Sequence, residues 1–431
     1  MSKARFLLVI LICASPAVLL WDGVVAQGLI AGIVAIVLAI TATTLRPGET
    51  EFLISNTRFA AAVAAVPVLC ILFQLLPLRA LAHPVWLSAE TALGQRLEGT
   101  ITIDRGASLI ALGQYIGLCA VAFLAAAVAV ERGRAESLLF ALTAAGAAIA
   151  LVVIAHHLLV ANIRLTVLMR AQAVNCVAMG AIIAAAACIR TVERYETRQA
   201  TPQRSVATLL RTFIACAAAF AVCALALVFD ATRAALIATG CGLAAFACVV
   251  LIRRFGLTVW STMGLAIPVI GVAVLVIGAQ PTEHGRSILL AFSGSSSSSS
   301  AVSERVLDDA PLIGTGAGTF AAIAPVYREM DDPPPGSTAA TTAATFAIEL
   351  GRPLLWLIAV VTVVAIVILL RASLQRGRDS FYPAMGAGSL ITLLLLGFLN
   401  AGLLGNAPGL MAAGVLGLAI VQSKSRTMQP S

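Results

Sequence analysis

From Phe381 to Val421 the chain runs without a single charged residue, and shorter uncharged stretches of the same kind recur from end to end. A helix needs about 20 apolar residues to cross a bilayer, and in lipid every backbone polar group must be bonded within the segment. Length and self-satisfaction together select membrane-spanning helices. The same runs exclude a soluble domain, because 60% of the residues are hydrophobic and 11% charged, whereas globular chains carry about 25% charge. The fold class is therefore all-α, a polytopic integral membrane protein.

Spans are expected at Phe6–Trp21, Val24–Leu45, Phe59–Leu78, Gly106–Val130, Ser137–Leu159, Arg164–Ile189, Thr212–Phe229, Ala234–Ile252, Val259–Gly278 and Thr341–Leu370. Phe381–Val421 is long enough for two more, with Asn400, Asn406 and Pro408 marking a turn, which makes about twelve in all. The expected organisation is nine spans over residues 1–278, a large outer loop over 279–340, and three spans with a tail over 341–431. The first span also has the look of a signal peptide, since Lys3 and Arg5 precede a short apolar core. Its removal leaves an odd span count and an N-terminus on the side that the charge bias disfavours.

The net charge of +8 is a topology signal here rather than a nucleic-acid footprint. With the N-terminus in the cytoplasm, most of the 28 basic residues fall on the cytoplasmic side. Those left outside are all arginines: Arg79, Arg96, Arg105, Arg164, Arg170, Arg233, Arg286, Arg305, Arg328 and Arg352. The planar guanidinium fork suits bidentate binding of phosphate. Arg233 closes the short hairpin Asp230-Ala231-Thr232-Arg233, where two readings stand side by side: a local Asp230–Arg233 pair, or an anion site facing the bundle.

Two outer segments are too long for simple connections. Arg79–Arg105 carries Pro84 and Trp86; Gln280–Ala340 carries a Gly/Ser linker at Gly294–Ser300, a helix-like stretch within Ala301–Tyr327, and a stiff break at Pro333–Pro335. Gly314-Thr315-Gly316-Ala317-Gly318 has no βαβ unit around it, which excludes a dinucleotide site. It reads as a turn packing the loop onto the helices, with a backbone contact from Gly316 and Gly318 to a lipid phosphate as the alternative. The histidines, His83, His156, His157 and His284, all fall on the outer side and read first as interfacial polar residues. His284, flanked by Glu283 and Arg286, is the one most suited to act as a base. The nine cysteines lie in apolar stretches, so neither a disulfide framework nor a zinc site is readable.

Four stretches, taken in order, resemble the O-antigen ligase and polysaccharide polymerase superfamily. They are Gln74-Leu75-Leu76-Pro77-Leu78 with Thr100-Ile101-Thr102-Ile103-Asp104; Asn175-Cys176-Val177-Ala178; Thr232-Arg233-Ala234-Ala235; and the run from Glu304-Arg305 through Asp309–Phe320 to Tyr327, ending at Glu349-Leu350-Gly351. The resemblance implies a metal-independent glycosyltransferase without cofactors in a bacterial inner membrane, both termini cytoplasmic and the large loop periplasmic. It implies undecaprenyl-diphosphate-linked oligosaccharide as donor, and as acceptor a hydroxyl of a glycan, of a lipid A core or of a protein. Other polysaccharide-assembly proteins are implied as partners. Arg233 and Arg305 would grip the diphosphate, with Arg286 and Arg328 as further anion contacts, Glu349 and Tyr327 orienting the acceptor, and Asn175 facing the cavity or bonding another helix. One departure stands out. Where the family has a His-Asn pair about nine residues before Glu-Leu-Gly, this chain reads Ala340-Thr341. Either His284 or Glu349 takes the base role, or diphosphate departure suffices, or catalysis is lost.

Overall fold

A computed structural model describes residues 2–21, 23–158, 165–198, 206–255, 289–290, 297–329, 338–375 and 379–424. Among them the regular structure is all helix. Among the described residues ten helices are long and apolar enough to cross a membrane. In chain order the structure has α1 (Ser2–Cys13) and α2 (Ser15–Leu20), which form one span broken near Pro16, then α3 (Val24–Thr44), α4 (Pro47–Leu75) and the short outer α5 (Val85–Leu93). There follow α6 (Arg105–Ala129), α7 (Arg132–Leu158), α8 (Val167–Arg198), α9 (Val206–Asp230) and α10 (Arg233–Phe255). The loop unit contributes α11 (Ser297–Asp309), α12 (Phe320–Ile323) and α13 (Thr342–Glu349). Last come α14 (Arg352–Gln375), α15 (Phe381–Leu399) and the shorter apolar α16 (Asn406–Val421). The expected span Val259–Gly278, together with His284, Arg286, Arg164 and Pro333–Pro335, lies outside the described residues.

Helix α8 is the axis, with most of its spanning segment buried against α7, α9, α15 and α16. Lipid tails are as apolar as leucine, so helices in a membrane gain from close van der Waals approach rather than from exclusion of water. The sequence supplies small residues where this happens. A Cβ on Gly146 of α7 would sit 2.8 Å from the Cα of Gly180 on α8, and a Cβ on Gly388 of α15 would sit 2.7 Å from the carbonyl of Gly242 on α10. Alanine-rich faces such as Ala125–Ala129 on α6 are wholly buried for the same reason.

The helix ends define two faces. One carries Arg132, Arg190 and Asp379 in mutual contact and is here the charged face; the other carries the loop unit with Gln74 and Thr102 and is the loop face. Two sequence expectations change at the loop face. Thr341–Leu370 is not one span: Gly351, in the left-handed region at φ +94, separates α13 from α14. A Cβ there would overlap the Leu312 carbonyl. Helix α13 is buried against Val302, Val306, Leu307 and Phe320 of the loop unit rather than in lipid; hydropathy does not distinguish the two surroundings. The Gly/Ser stretch is not linker throughout, since Ser297–Ser300 form the first turn of α11 and Ser300 is buried.

Candidate functional site

The loop face is assembled from segments far apart in sequence. Gln74, fully buried at the end of α4, donates through Nε2 to the carbonyls of Ile313 and Glu349, both at 2.9 Å. The Gly314–Gly318 turn is held from below by Thr102, whose amide donates to the Gln74 carbonyl and whose hydroxyl lies 2.7 Å from Ser108 Oγ. Gly316 sits at φ +113, and a Cβ on it would overlap Thr102. The N–H groups of this turn face protein acceptors: Thr315 donates to Ile348 O, Gly316 to Glu349 O, and Gly318 to Glu349 Oε2 at 2.8 Å. The turn therefore packs loop onto helix, and these amides of Gly316 and Gly318 are committed to the protein.

Glu349 completes that anchor. Its second oxygen accepts from Phe320 N at 3.2 Å, so one carboxylate ties the turn to the start of α12. Burial pushes its pKa up to about 7, and the two backbone donors hold it from rising further. The group stays available to titrate near neutrality while both oxygens face backbone.

The loop unit also places Arg305, which pairs with Glu329. Arg352 donates to Leu307 O at 2.8 Å, fastening α14 to α11. Tyr327 is half-buried; burial first, then a hydrogen bond with Asp309, raises its pKa. Arg328 is exposed beside it. The Ala340–Thr341 position is packed: Ala340 N donates to Ser303 Oγ at 3.0 Å, and the Thr341 hydroxyl donates to Leu289 O at 2.9 Å.

Asn175 is fully buried on α8 and bonds between helices. Its Nδ2 donates to Ala401 O, and its Oδ1 accepts from Asn400 Nδ2, each at 3.2 Å. Asn400 in turn accepts at its carbonyl from the amide and the hydroxyl of Thr342, both at 3.0 Å. The interhelical reading of Asn175 is thus the observed arrangement, and it couples α8 to the start of α13.

At the hairpin the local Asp230–Arg233 pair is absent. Asp230, with a side chain 4% exposed, instead takes Arg170 of α8, whose Nη2 and Nε lie 2.6 and 3.1 Å from Oδ1. His157 Nε2, from the end of α7, lies 3.4 Å from the same oxygen. Three helix ends meet on one carboxylate. Arg233, three residues on, is exposed and makes no ion pair among the described residues. Local sequence did not reveal this cluster, because Arg170 and Asp230 are separated by most of two helices.

A second cluster went unread because its cations served only as orientation markers. On the charged face Arg190, with a side chain 7% exposed, meets Asp379 at 3.3 Å and Glu136 at 3.9 Å and stacks over Phe381. Arg132 reaches Asp379 at 2.7 Å, and Arg194 pairs with Glu136. Asp379 is the one non-glycine residue at positive φ among those described. These ions tie α7, α8 and the start of α15 together.

No protein-family model matches the chain, and no curated protein sequence matches it.

Proposed function

We propose that the protein transfers saccharide units from an undecaprenyl-diphosphate-linked donor to an acceptor hydroxyl at the periplasmic face of a bacterial inner membrane. In this reading the loop face is periplasmic and both termini are cytoplasmic, since the charged face carries most of the basic residues. The described chain leaves α10 at the charged face and begins α14 at the loop face. The ten long helices and the shorter α16 are the membrane-crossing candidates among the described residues, and the expected total of about twelve spans is part of this proposal.

The observation that carries the reading is Arg233. Its neighbour Asp230 is taken by Arg170 and lies against His157, which leaves Arg233 an exposed guanidinium at the head of α10 with no carboxylate partner among the described residues. A fork in that state suits the diphosphate of a lipid carrier, and preorganised cations aimed at the departing diphosphate lower the barrier to transfer. Arg305 supplies the second grip by exchanging Glu329, its exposed partner, for phosphate. Arg328 and Tyr327 line the same part of the loop unit.

A second reading, a non-catalytic membrane partner or lipid-glycan carrier, draws on the packed Ala340–Thr341 position and on the backbone commitments of Glu349. Purified protein in proteoliposomes, supplied with polyprenyl-diphosphate oligosaccharide, separates the two. Chain transfer that disappears in Arg233→Ala and Arg305→Ala supports the enzyme. Donor binding without turnover in the unaltered protein supports the partner.

A further inference from the structure

Transfer to a hydroxyl needs a group to take its proton, and among the described residues the loop face sets the His157 imidazole against a buried carboxylate. Resting on the transferase reading, we propose that His157 is the general base for the acceptor hydroxyl and that Asp230 is its positioning residue.

The geometry is that of an imidazole poised beside a carboxylate: Nε2 is buried and makes no hydrogen bond among the described residues. Asp230 lies beside Nε2 at 3.4 Å, so Nδ1 is the nitrogen left for the acceptor. The ring is flanked by Phe229 at 5.7 Å and by His156 at 6.1 Å between centroids, which limits its rotation. A third of the His157 side chain is exposed (33%), so a substrate has access while the carboxylate stays dry. Asp230 keeps one buried oxygen, Oδ2, without a hydrogen-bond partner among the described residues. A buried donor and a buried acceptor left open side by side are both costly, and a small shift of the imidazole that brings Nε2–H onto the carboxylate satisfies them together. Arg170 of α8 donates to the same Oδ1 from Nε and Nη2. His156 on the same helix is a further titratable neighbour of the ring, and Arg233 follows Asp230 by three residues in the chain.

Position favours the role as well. Asp230 and Arg233 are three residues apart, so their Cα atoms are within about 10 Å. Arg170 and Asn175 are five residues apart on α8, about 7.5 Å along its axis. Asn175 leads through Asn400 to Thr342, and Ala340 leads through Ser303 to the helix of Arg305. The Asp–His pair thus sits beside one proposed phosphate grip and is joined by hydrogen bonds to the helix of the other. In the step itself the acceptor oxygen bonds to the anomeric carbon while the bond from that carbon to the donor phosphate oxygen breaks. The electron pair of that bond leaves with undecaprenyl diphosphate, and the hydroxyl proton moves to His157 Nδ1 and then to solvent.

The test uses full-length protein in proteoliposomes, polyprenyl-diphosphate saccharides extracted from its native cells, and mass-spectrometric counting of released undecaprenyl diphosphate. His157→Gln is expected to lower kcat by about 10²–10⁴-fold with KM little changed, and to abolish the acidic limb of the pH–rate profile. Asp230→Asn lowers kcat in the same direction. Added imidazole restores turnover to His157→Ala, which a packing role would not permit. Release by His157→Gln at the unaltered rate with the acidic limb intact, in a preparation where Arg233→Ala is silent, overturns the base and leaves the transferase reading standing. A folded His157→Ala that imidazole does not revive also overturns it. No release by the unaltered protein removes both.

Discussion

Glu349 ties the stability of the loop face to pH in a direction opposite to that of a salt-bridged carboxylate. Its ordinary value of 4.5 is pushed up to about 7 by burial, against the pull of the Gly318 and Phe320 amides. Below pH 4.5 the group is protonated in both folded and unfolded chains. Between 4.5 and 7 the unfolded chain releases its proton while the folded chain keeps it, so the unfolded state gains and stability falls as pH rises. At about 1.4 kcal/mol per pH unit the loss amounts to about 3 kcal/mol by the upper end of that window and is flat above it. Glu349→Gln carries no proton to release. It adds a constant cost of about 1–3 kcal/mol, because one of the two backbone donors then faces an amide N–H₂. Unfolding free energies in mixed micelles, taken for both proteins from pH 4 to 8, isolate the effect, since other titrating groups cancel in the difference. The unaltered protein should lead by most at pH 4, and its lead should shrink by about 3 kcal/mol up to pH 7.5. A difference that is constant over that range, or that grows with pH, refutes the buried, raised carboxylate.

Removing one ion from the charged face should be more damaging than removing an exposed pair. Arg190→Met leaves Glu136 and Asp379 each short of a buried partner and should cost about 3–5 kcal/mol, read as a lower melting temperature in detergent. Gly351→Ala forces a left-handed residue against the Leu312 carbonyl and should cost at least about 1–3 kcal/mol, with protease sensitivity rising first between α13 and α14. Asn175→Leu leaves the side-chain amide of Asn400 with only its longer contact to Ala171 O and should loosen the start of α13, seen as faster hydrogen exchange at Thr342–Thr345. For function, Arg233→Lys keeps the charge but not the fork, so transfer should fall well below that of the unaltered protein; full activity in the lysine variant argues against bidentate grip of the diphosphate.

What local sequence determined about this protein is that it is built of many long apolar helices, because the cost of an unpaired backbone group in lipid is settled within each segment and is written in each segment. The turn between Phe381 and Val421 was legible for that reason, with one helix ending at Leu399 and the next beginning at Asn406. The left-handed positions Gly316 and Gly351 were visible as glycines, yet not as the contacts with Thr102 and Leu312 that require them. Tertiary structure alone decided where each charge goes. Asp230 stands three residues from Arg233 and is claimed by Arg170 from another helix, and Arg190, an orientation marker in the sequence, lies buried between Glu136 and Asp379. Helix ends distant in sequence meet at the same depth in a bundle, and a charge held there settles on whichever counter-ion the packing brings nearest.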